Sequence, residues 1–270
     1  MKLTIAHATE YLYDQPVSYV VQRLRLTPVD GPTQRVLNWE VSVDGRPVET
    51  RYGDQYCNEV GLASRQGGGQ SIRIVARGDV ETIDTAGVYG AHQGFTPLWL
   101  FLRHTPRTRP GQRVRDLLQR VRGEDELGRM HSLMNTINAE VAYLPGTTDS
   151  ETTAEQALAA RSGVCQDHAH IFIAAARSLG IPARYVSGYL LMDGITDQVA
   201  THAWAEVHLP NLGWAGFDPA NNTCPDERYV RLATGMCYHD CAPVAGVRIG
   251  PTSEDLTVAV TVAPMSSQQQ

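Results

Sequence analysis

Long apolar runs are absent from this chain. The longest uninterrupted stretch, Ile171–Ala176, has six residues, against the ~20 that a membrane-spanning helix needs. A leader pattern is missing as well. The opening MKLTIAHATEYLYDQP carries a lone Lys2 and reaches Glu10 and Asp14 before any apolar run forms, so the expected address is cytoplasmic. Positive charge is in deficit. Lys plus Arg number 23 against 29 Asp plus Glu, giving −6 and a pI near 5.8, which argues against a nucleic acid held by neutralised phosphates. Cysteine is sparse and odd in number: Cys57, Cys165, Cys224, Cys237 and Cys241 are scattered and make a poor disulfide framework. No dense Asp/Glu loop of calcium-site type is visible, and no repeat at solenoid spacing. What remains, 42% hydrophobic and 19% charged residues in a chain of 270, is the composition of a soluble globular protein with one large domain or two.

Residues 1 to about 95 read as strands. Val36–Val43 sets Leu37, Trp39, Val41 and Val43 on one face against Asn38, Glu40 and Ser42, and Val17–Leu26 and Ser71–Ala76 alternate in the same way. Pro28–Pro32, Asp44–Gly45 and Gly67–Gly69 are turn signals between them. Short alternating strands without helical spacing predict a β-sandwich-like N-terminal domain. Pro97–Arg103 is an apolar patch suited to docking two halves, and Thr105–Gly111 reads as an exposed linker, so 96–112 is expected to connect the domains. From 113 onwards helical spacing takes over, in Val114, Leu117, Leu118, Val121 and in Leu127, Met130, Leu133, Met134. Asp149–Thr153 reads as the entry to a helix over Ala154–Ala160. Leu256–Ala263 is a last alternating strand, assigned with the core as 113–270, and Ser266–Gln270 reads as a frayed tail.

The chemistry concentrates between Arg161 and Pro219. Ala169–Ala176 is apolar almost all round and predicts a helix through the interior, stopped by Gly180 and Pro182. Cys165 then falls in its first turn, where free N–H groups and the positive end of the helix dipole favour a thiolate and can hold an oxyanion. A lone cysteine in such a place is usually a structural thiol. The downstream residues change that reading. His202, Trp204, Glu206 and His208 share one face of an alternating strand, and Pro210–Gly213 turns the chain into a second strand that ends at Asp218–Pro219. A nucleophile, a base and an orienting carboxylate thus occur in the order Cys165, His202, Asp218. A tight turn centred between Asn211 and Leu212 would set Asp218 opposite Ala205 and away from His202.

These segments resemble the bacterial transglutaminase-like cysteine peptidase superfamily. The matching pieces are GVCQDHAH (Gly163–His170), GIPARYVSGYL (Gly180–Leu190), THAWAEVHLP (Thr201–Pro210) and GWAGFDPANN (Gly213–Asn222). YLYDQPVSYVVQRLRLTP (Tyr11–Pro28) is similar to the β-rich region that precedes this core in one bacterial subgroup. The resemblance implies an α+β, papain-like core, with a nucleophile helix packed on an antiparallel sheet. It implies Cys165 as nucleophile, His202 as base and Asp218 as its orienter. Two positions depart from the family pattern: Gly235–Met236–Cys237–Tyr238 stands where Gly-Arg-Asp-Tyr is usual, and Asp218–Pro219–Ala220 where Asp-Pro-Thr is usual.

The expected activity is cysteine-dependent acyl transfer on a peptide or amide, through a thioester taken by water or by an amine. It needs no metal or organic cofactor. The expected partner is a peptide or protein substrate, with no nucleic acid and no membrane. Two alternatives are a peptide-binding module that keeps the fold without activity, and an interaction protein built on zinc at Cys224, Cys237, His239 and Cys241, whose spacing is unusual for such a site. Among the neighbours, His168 could rim the site but reads better as a buried, hydrogen-bonded histidine. Asp167 is accounted for by the helix dipole. Tyr143 could donate to an oxyanion but reads better as a packed ring, and Trp204 could shield the imidazole.

Overall fold

The computed structural model describes residues 1–48, 50–250 and 253–265, so the tail at Ser266–Gln270 lies outside the described residues. The N-terminal strands are β1 (Lys2–Thr27), β2 (Gln34–Val43), β3 (Arg46–Pro47), β4 (Thr50–Gly53), β5 (Glu59–Thr82) and β6 (Val88–Gly90). A 3-10 helix at Leu98–Leu102 leads to α1 (Gln112–Leu118), α2 (Glu126–Glu140), β7 (Ala142–Tyr143), α3 (Ala154–Ala160), β8 (Ser162–Gly163) and α4 (Cys165–Ser178). Then follow β9 (Ala183–Leu190), β10 (Asp197–Gln198), β11 (His202–Leu209), β12 (Gly213–Phe217) and β13 (Tyr229–Gly235). The chain closes with α5 (Tyr238–Cys241), β14 (Val244–Ile249) and β15 (Glu254–Pro264).

Strands β1 to β5 belong to one sheet. Asp44 and Gly45, both with positive φ (49° and 75°), make the hairpin between β2 and β3, as such a pair does best. Gly67–Gly69 does something else. The expected turn is not there; the glycines lie inside β5, where its pairing with β1 slips between Leu12 and Tyr19. Gly67 and Gly68 take φ of 102° and 71°, which only glycine adopts freely. This bulge bends both long strands. Ile72 and Ile74 on one arm are thereby brought into a core with Val20, Leu24 and Leu26 on the other.

The second sheet, in the order β13-β9-β11-β12-β6, carries α4 against one face. Ile171 through Ala176 are 0% exposed, so the helix is buried all round as its composition demands. The opposite face is covered by the 3-10 helix, whose Phe101 meets Trp214 edge-on at 5.1 Å.

The halves are fused more closely than the sequence suggests. The C-terminal strand β15 pairs with β1 over Leu3–Tyr13, and β14 pairs with β1 over Tyr19–Leu24, so both belong to the N-terminal sheet and not to the core. Conversely, β6 joins the core sheet beside β12. The segment read as an exposed linker is docked: Thr108 is fully buried and takes a hydrogen bond from Arg177 at 2.9 Å. The Glu155 carboxylate accepts the amides of Gly111, Arg113 and Val114, capping α1 from α3. Limited proteolysis should therefore spare residues 105–111. A stable fragment beginning there would show that the two halves separate.

Candidate active site

Cys165 opens α4, 8% exposed. Its backbone is set by Asp167, whose Oδ2 accepts the Val164 amide at 2.8 Å and the Thr148 hydroxyl at 2.7 Å. Asp167 folds back so tightly that a Cβ on Gly163 would stand 2.7 Å from it, which accounts for the glycine before the nucleophile. Burial raises the Asp167 pKa, against the bonds from Val164 and Thr148 that lower it. Asp167 is therefore more than a complement to the helix dipole: it ties the loop at Thr148 to the nucleophile's turn.

His202 begins β11, and its Nε2 lies 2.6 Å from Asp218 Oδ2. The Cys165 sulfur lies close enough to the imidazole to be, after burial, the leading influence on its charge. His202 and Asp218 are thus brought together, by a different register from the one expected. The hairpin loop has three residues, Pro210–Leu212, with Leu209 opposite Gly213 and Ala205 opposite Phe217. Positive φ at Asn211 (65°) and Gly213 (72°) makes this loop possible. Continued by one residue, the register sets Asp218 opposite Trp204, not Ala205. Trp204 shares its face with His202, so the carboxylate becomes the diagonal neighbour of the imidazole, within reach across a pleat.

The carboxylate is saturated. Oδ2 also accepts from Asn221 Nδ2 at 2.7 Å and from the Tyr229 hydroxyl at 2.8 Å, while Oδ1 accepts the amides of Ala220 and Asn221. Ala220, where the family usually has Thr, contributes through its backbone. Asn138 on α2 fixes the turn by donating to the carbonyls of Pro219 and Ala220. Burial alone would raise the Asp218 pKa, but the bonds from His202, Asn221 and Tyr229 bring it below the usual carboxylate value. For His202, burial lowers the pKa, but the Cys165 sulfur and Asp218 outweigh it and raise it to about 10. The two shifts have opposite signs for stability. The share of His202 is complete below the ordinary imidazole value of 6.5 and is lost as pH rises through about 10. The share of Asp218 is complete above the ordinary carboxylate value of 3.8 and is lost as pH falls through its lowered one.

Aromatic rings enclose the imidazole. Trp204 stacks at 6.3 Å and 25°, and Tyr229 stands 5.8 Å away. Gly188, opposite His202 in the ladder, leaves the space into which the Trp204 ring fits; a Cβ there would stand 2.7 Å from that ring. Tyr143 corrects the expectation of a packed ring. It is 53% exposed, and the Cys165 sulfur is the leading charge near its hydroxyl. The short parallel pairing of Tyr143 with Gly163 puts it there. Burial, the Cys165 sulfur and Asp218 raise its pKa to about 12, so at neutral pH it keeps its proton. His168 is a buried histidine with ring nitrogens 2.9 Å from the carbonyls of Val164 and Val141, away from the reacting atoms.

The C-terminal cysteines do not converge. Cys241 contacts the Tyr185 carbonyl at 3.6 Å, and the His239 side chain is 67% exposed. Among the described residues no group of three or more His, Cys, Asp or Glu is placed to hold a metal ion. Sequence reasoning missed Arg177. Buried on α4, it donates to the carbonyls of Phe101, Ala183 and Met236 and to the Thr108 hydroxyl. Met236 thus answers Arg177 with its backbone, whatever its side chain. Burial lowers the Arg177 pKa to about 10, still protonated at neutral pH.

Comparison with known proteins agrees with this geometry. The model of the transglutaminase-like superfamily core matches residues 115–219, and that of the bacterial transglutaminase-like N-terminal region matches 3–81. An uncharacterized protein of Mycobacterium leprae is 28% identical over 98% of this chain and 99% of its own length. One of Mycobacterium tuberculosis is 29% identical over 96% of this chain and 90% of its own. A crystal structure from Cytophaga hutchinsonii, described as a candidate cysteine protease, superposes with a TM-score of 0.79 at 22% identity, covering 100% of this chain and 92% of that one; that likeness is one of fold. By its two matched regions and its papain-like architecture, the chain belongs to the transglutaminase-like superfamily, with the bacterial N-terminal region ahead of the core.

Proposed function

We propose that the protein is a cysteine-dependent acyl-transfer enzyme acting on peptide or amide substrates. The observation that carries this reading is the His202 imidazole held 2.6 Å from the saturated Asp218 carboxylate, with Cys165 the charge that most raises that imidazole's pKa. The sulfur attacks the substrate carbonyl. The Tyr143 hydroxyl and the amides of the first turn of α4 face the developing oxyanion. His202 passes its proton to the leaving amine, and a thioester remains on Cys165. Water then gives an acid, as in a peptidase or amidase; an amine gives a new amide, as in a transglutaminase. Five unpaired cysteines suit a reducing compartment, and we place the enzyme in the cytoplasm.

Site-resolved alkylation with iodoacetamide tests the nucleophile. Burial raises the pKa of Cys224, and burial together with Asp240 raises that of Cys241 well above the ordinary value. Those two should be inert. At pH 6 Cys165 should react fastest of the five, ahead of the exposed Cys57. His202→Gln should lower the Cys165 rate at that pH. A Cys165 that labels no faster than Cys57 at pH 6 would remove the assignment.

A further inference from the structure

Asp218 owes one of its hydrogen bonds to the opening residue of an edge strand. β13 lies at the end of its sheet and pairs with β9 on one side only. Edge strands present unpaired main-chain groups, and strand ends are where local opening is easiest. Tyr229, whose hydroxyl donates to Asp218 Oδ2 at 2.8 Å, stands at such an end. What covers the outer edge of β13 therefore decides how firmly that hydroxyl is held.

The cover comes from the N-terminal sheet, and it is made of side chains. Gln34, the first residue of β2, is 3% exposed. Its Oε1 accepts the Arg231 amide at 2.8 Å, and its Nε2 donates to the Arg231 carbonyl at 2.9 Å. Asn58, just ahead of β5, does the same for Thr234, at 2.8 Å in both directions. Each carboxamide thus exchanges two hydrogen bonds with one residue of β13, as a neighbouring strand would. The bulge between Arg231 and Ala233 supplies the extra residue that lets positions 231 and 234 face the same edge. At the other flank the Thr82 hydroxyl, at the end of β5, donates to the Glu227 carbonyl. Tyr229 therefore sits midway between two ties to the N-terminal sheet, at Glu227 and at Arg231, whereas the Asn58 tie lies at the far end of the strand.

Taken with the reading of Cys165, His202 and Asp218 as a triad, on which it rests, we propose that Gln34 is a positioning residue for the reaction, acting through Arg231 and Tyr229 on the Asp218 carboxylate. The N-terminal sheet then completes the site without approaching the reacting atoms. The core alone holds all three triad side chains, but it leaves the strand that carries Tyr229 with an open edge.

The proton in the 2.6 Å bond between His202 Nε2 and Asp218 Oδ2 has a downfield magnetic resonance line that reads the geometry of the pair without any substrate. It is recorded in the full chain for the parent, Gln34→Leu, Tyr229→Phe and Asn58→Leu. The line should move in Gln34→Leu and in Tyr229→Phe. It should stay in place in Asn58→Leu, which loses the same kind of tie at the far end of β13 and so controls for stability alone. On a peptide amide that the parent processes and Cys165→Ala does not, Gln34→Leu should lower kcat roughly 3- to 10-fold and leave KM within about twofold. The loss is modest because His202, Asn221 and two backbone amides still hold the carboxylate. The double variant Gln34→Leu/Tyr229→Phe should be no slower than Tyr229→Phe alone. If Gln34→Leu fails to fold, as judged by circular dichroism, Thr82→Val is read in its place with the same expectations. An unmoved line in the folded variant, an equal shift in Asn58→Leu, or losses that multiply in the double variant would overturn the positioning role. Turnover retained in Cys165→Ala would overturn the triad as the catalyst, and the proton line would still judge the positioning by itself.

Discussion

Asp218→Asn should lower turnover by ~10- to 10³-fold on any peptide amide that the parent processes and Cys165→Ala does not. In a Ser–His–Asp protease the same exchange costs ~10⁴; a thiolate–imidazolium pair leans less on its third member. The physical reason lies in what Asp218 accepts. Its oxygens take five hydrogen bonds, from His202, Asn221, Tyr229 and two backbone amides. An asparagine must turn an N–H₂ towards one set of those donors, and it brings no charge to hold the imidazolium. The His202 pKa should then fall from about 10 towards 6.5. Turnover within about threefold of the parent, in a variant that melts normally, would strike Asp218 from the triad.

The second large effect concerns stability. Arg177→Met should lower the melting temperature by roughly 10 °C, from a loss of ~3–5 kcal/mol at ~2–4 °C per kcal/mol for a chain of this size class. Arg177 is 4% exposed and ties three separate pieces of chain together: the 96–112 segment through Phe101 and Thr108, β9 through Ala183, and the turn after β13 through Met236. Methionine fills most of the volume and leaves three carbonyls and a hydroxyl without that donor. The kinetic signature should differ from that of Asp218→Asn. Folded Arg177→Met should keep the parent's Cys165 alkylation rate at pH 6, because the hydrogen bonds of Arg177 go to neither Cys165 nor His202. A fall of less than ~2 °C would mean that backbone relaxation or water meets those carbonyls.

Much of this was legible in the sequence because residue type and period carry it. Ile171–Ala176 is apolar on every side, and a helix so composed has only the interior to occupy. His202 and Asp218 are set at the ends of two strands whose alternation is plain. What escaped depends on pairing, which period does not encode. Leu256–Ala263 shows that a strand exists but not that β1 is its partner. Tyr143 precedes the nucleophile by 22 positions and reaches it only through the two-residue pairing of β7 with β8. Gly67–Gly69 has the composition of a turn; the strand pairing on both sides makes it a bend within two continuous strands. Arg177 stands at the end of an apolar helix, where a solvent-facing basic residue is the ordinary expectation, and only the arrival of three other segments buries it.

The hairpin between β11 and β12 ties catalysis to chain length. Strand neighbours alternate faces with every residue, so removing or adding one residue among Pro210–Leu212 would carry Asp218 to the helix side of the sheet and turn Phe217, which stacks on Phe172 at 5.2 Å, out of the core. Deleting two residues would restore the face but displace the carboxylate by ~6.8 Å along the strand, away from His202 to a place opposite Glu206. Substitution in that loop is cheap wherever Asn211 and Gly213 keep their backbone; insertion and deletion are not. Pro210–Leu212 are, by their number alone, part of the proposed site.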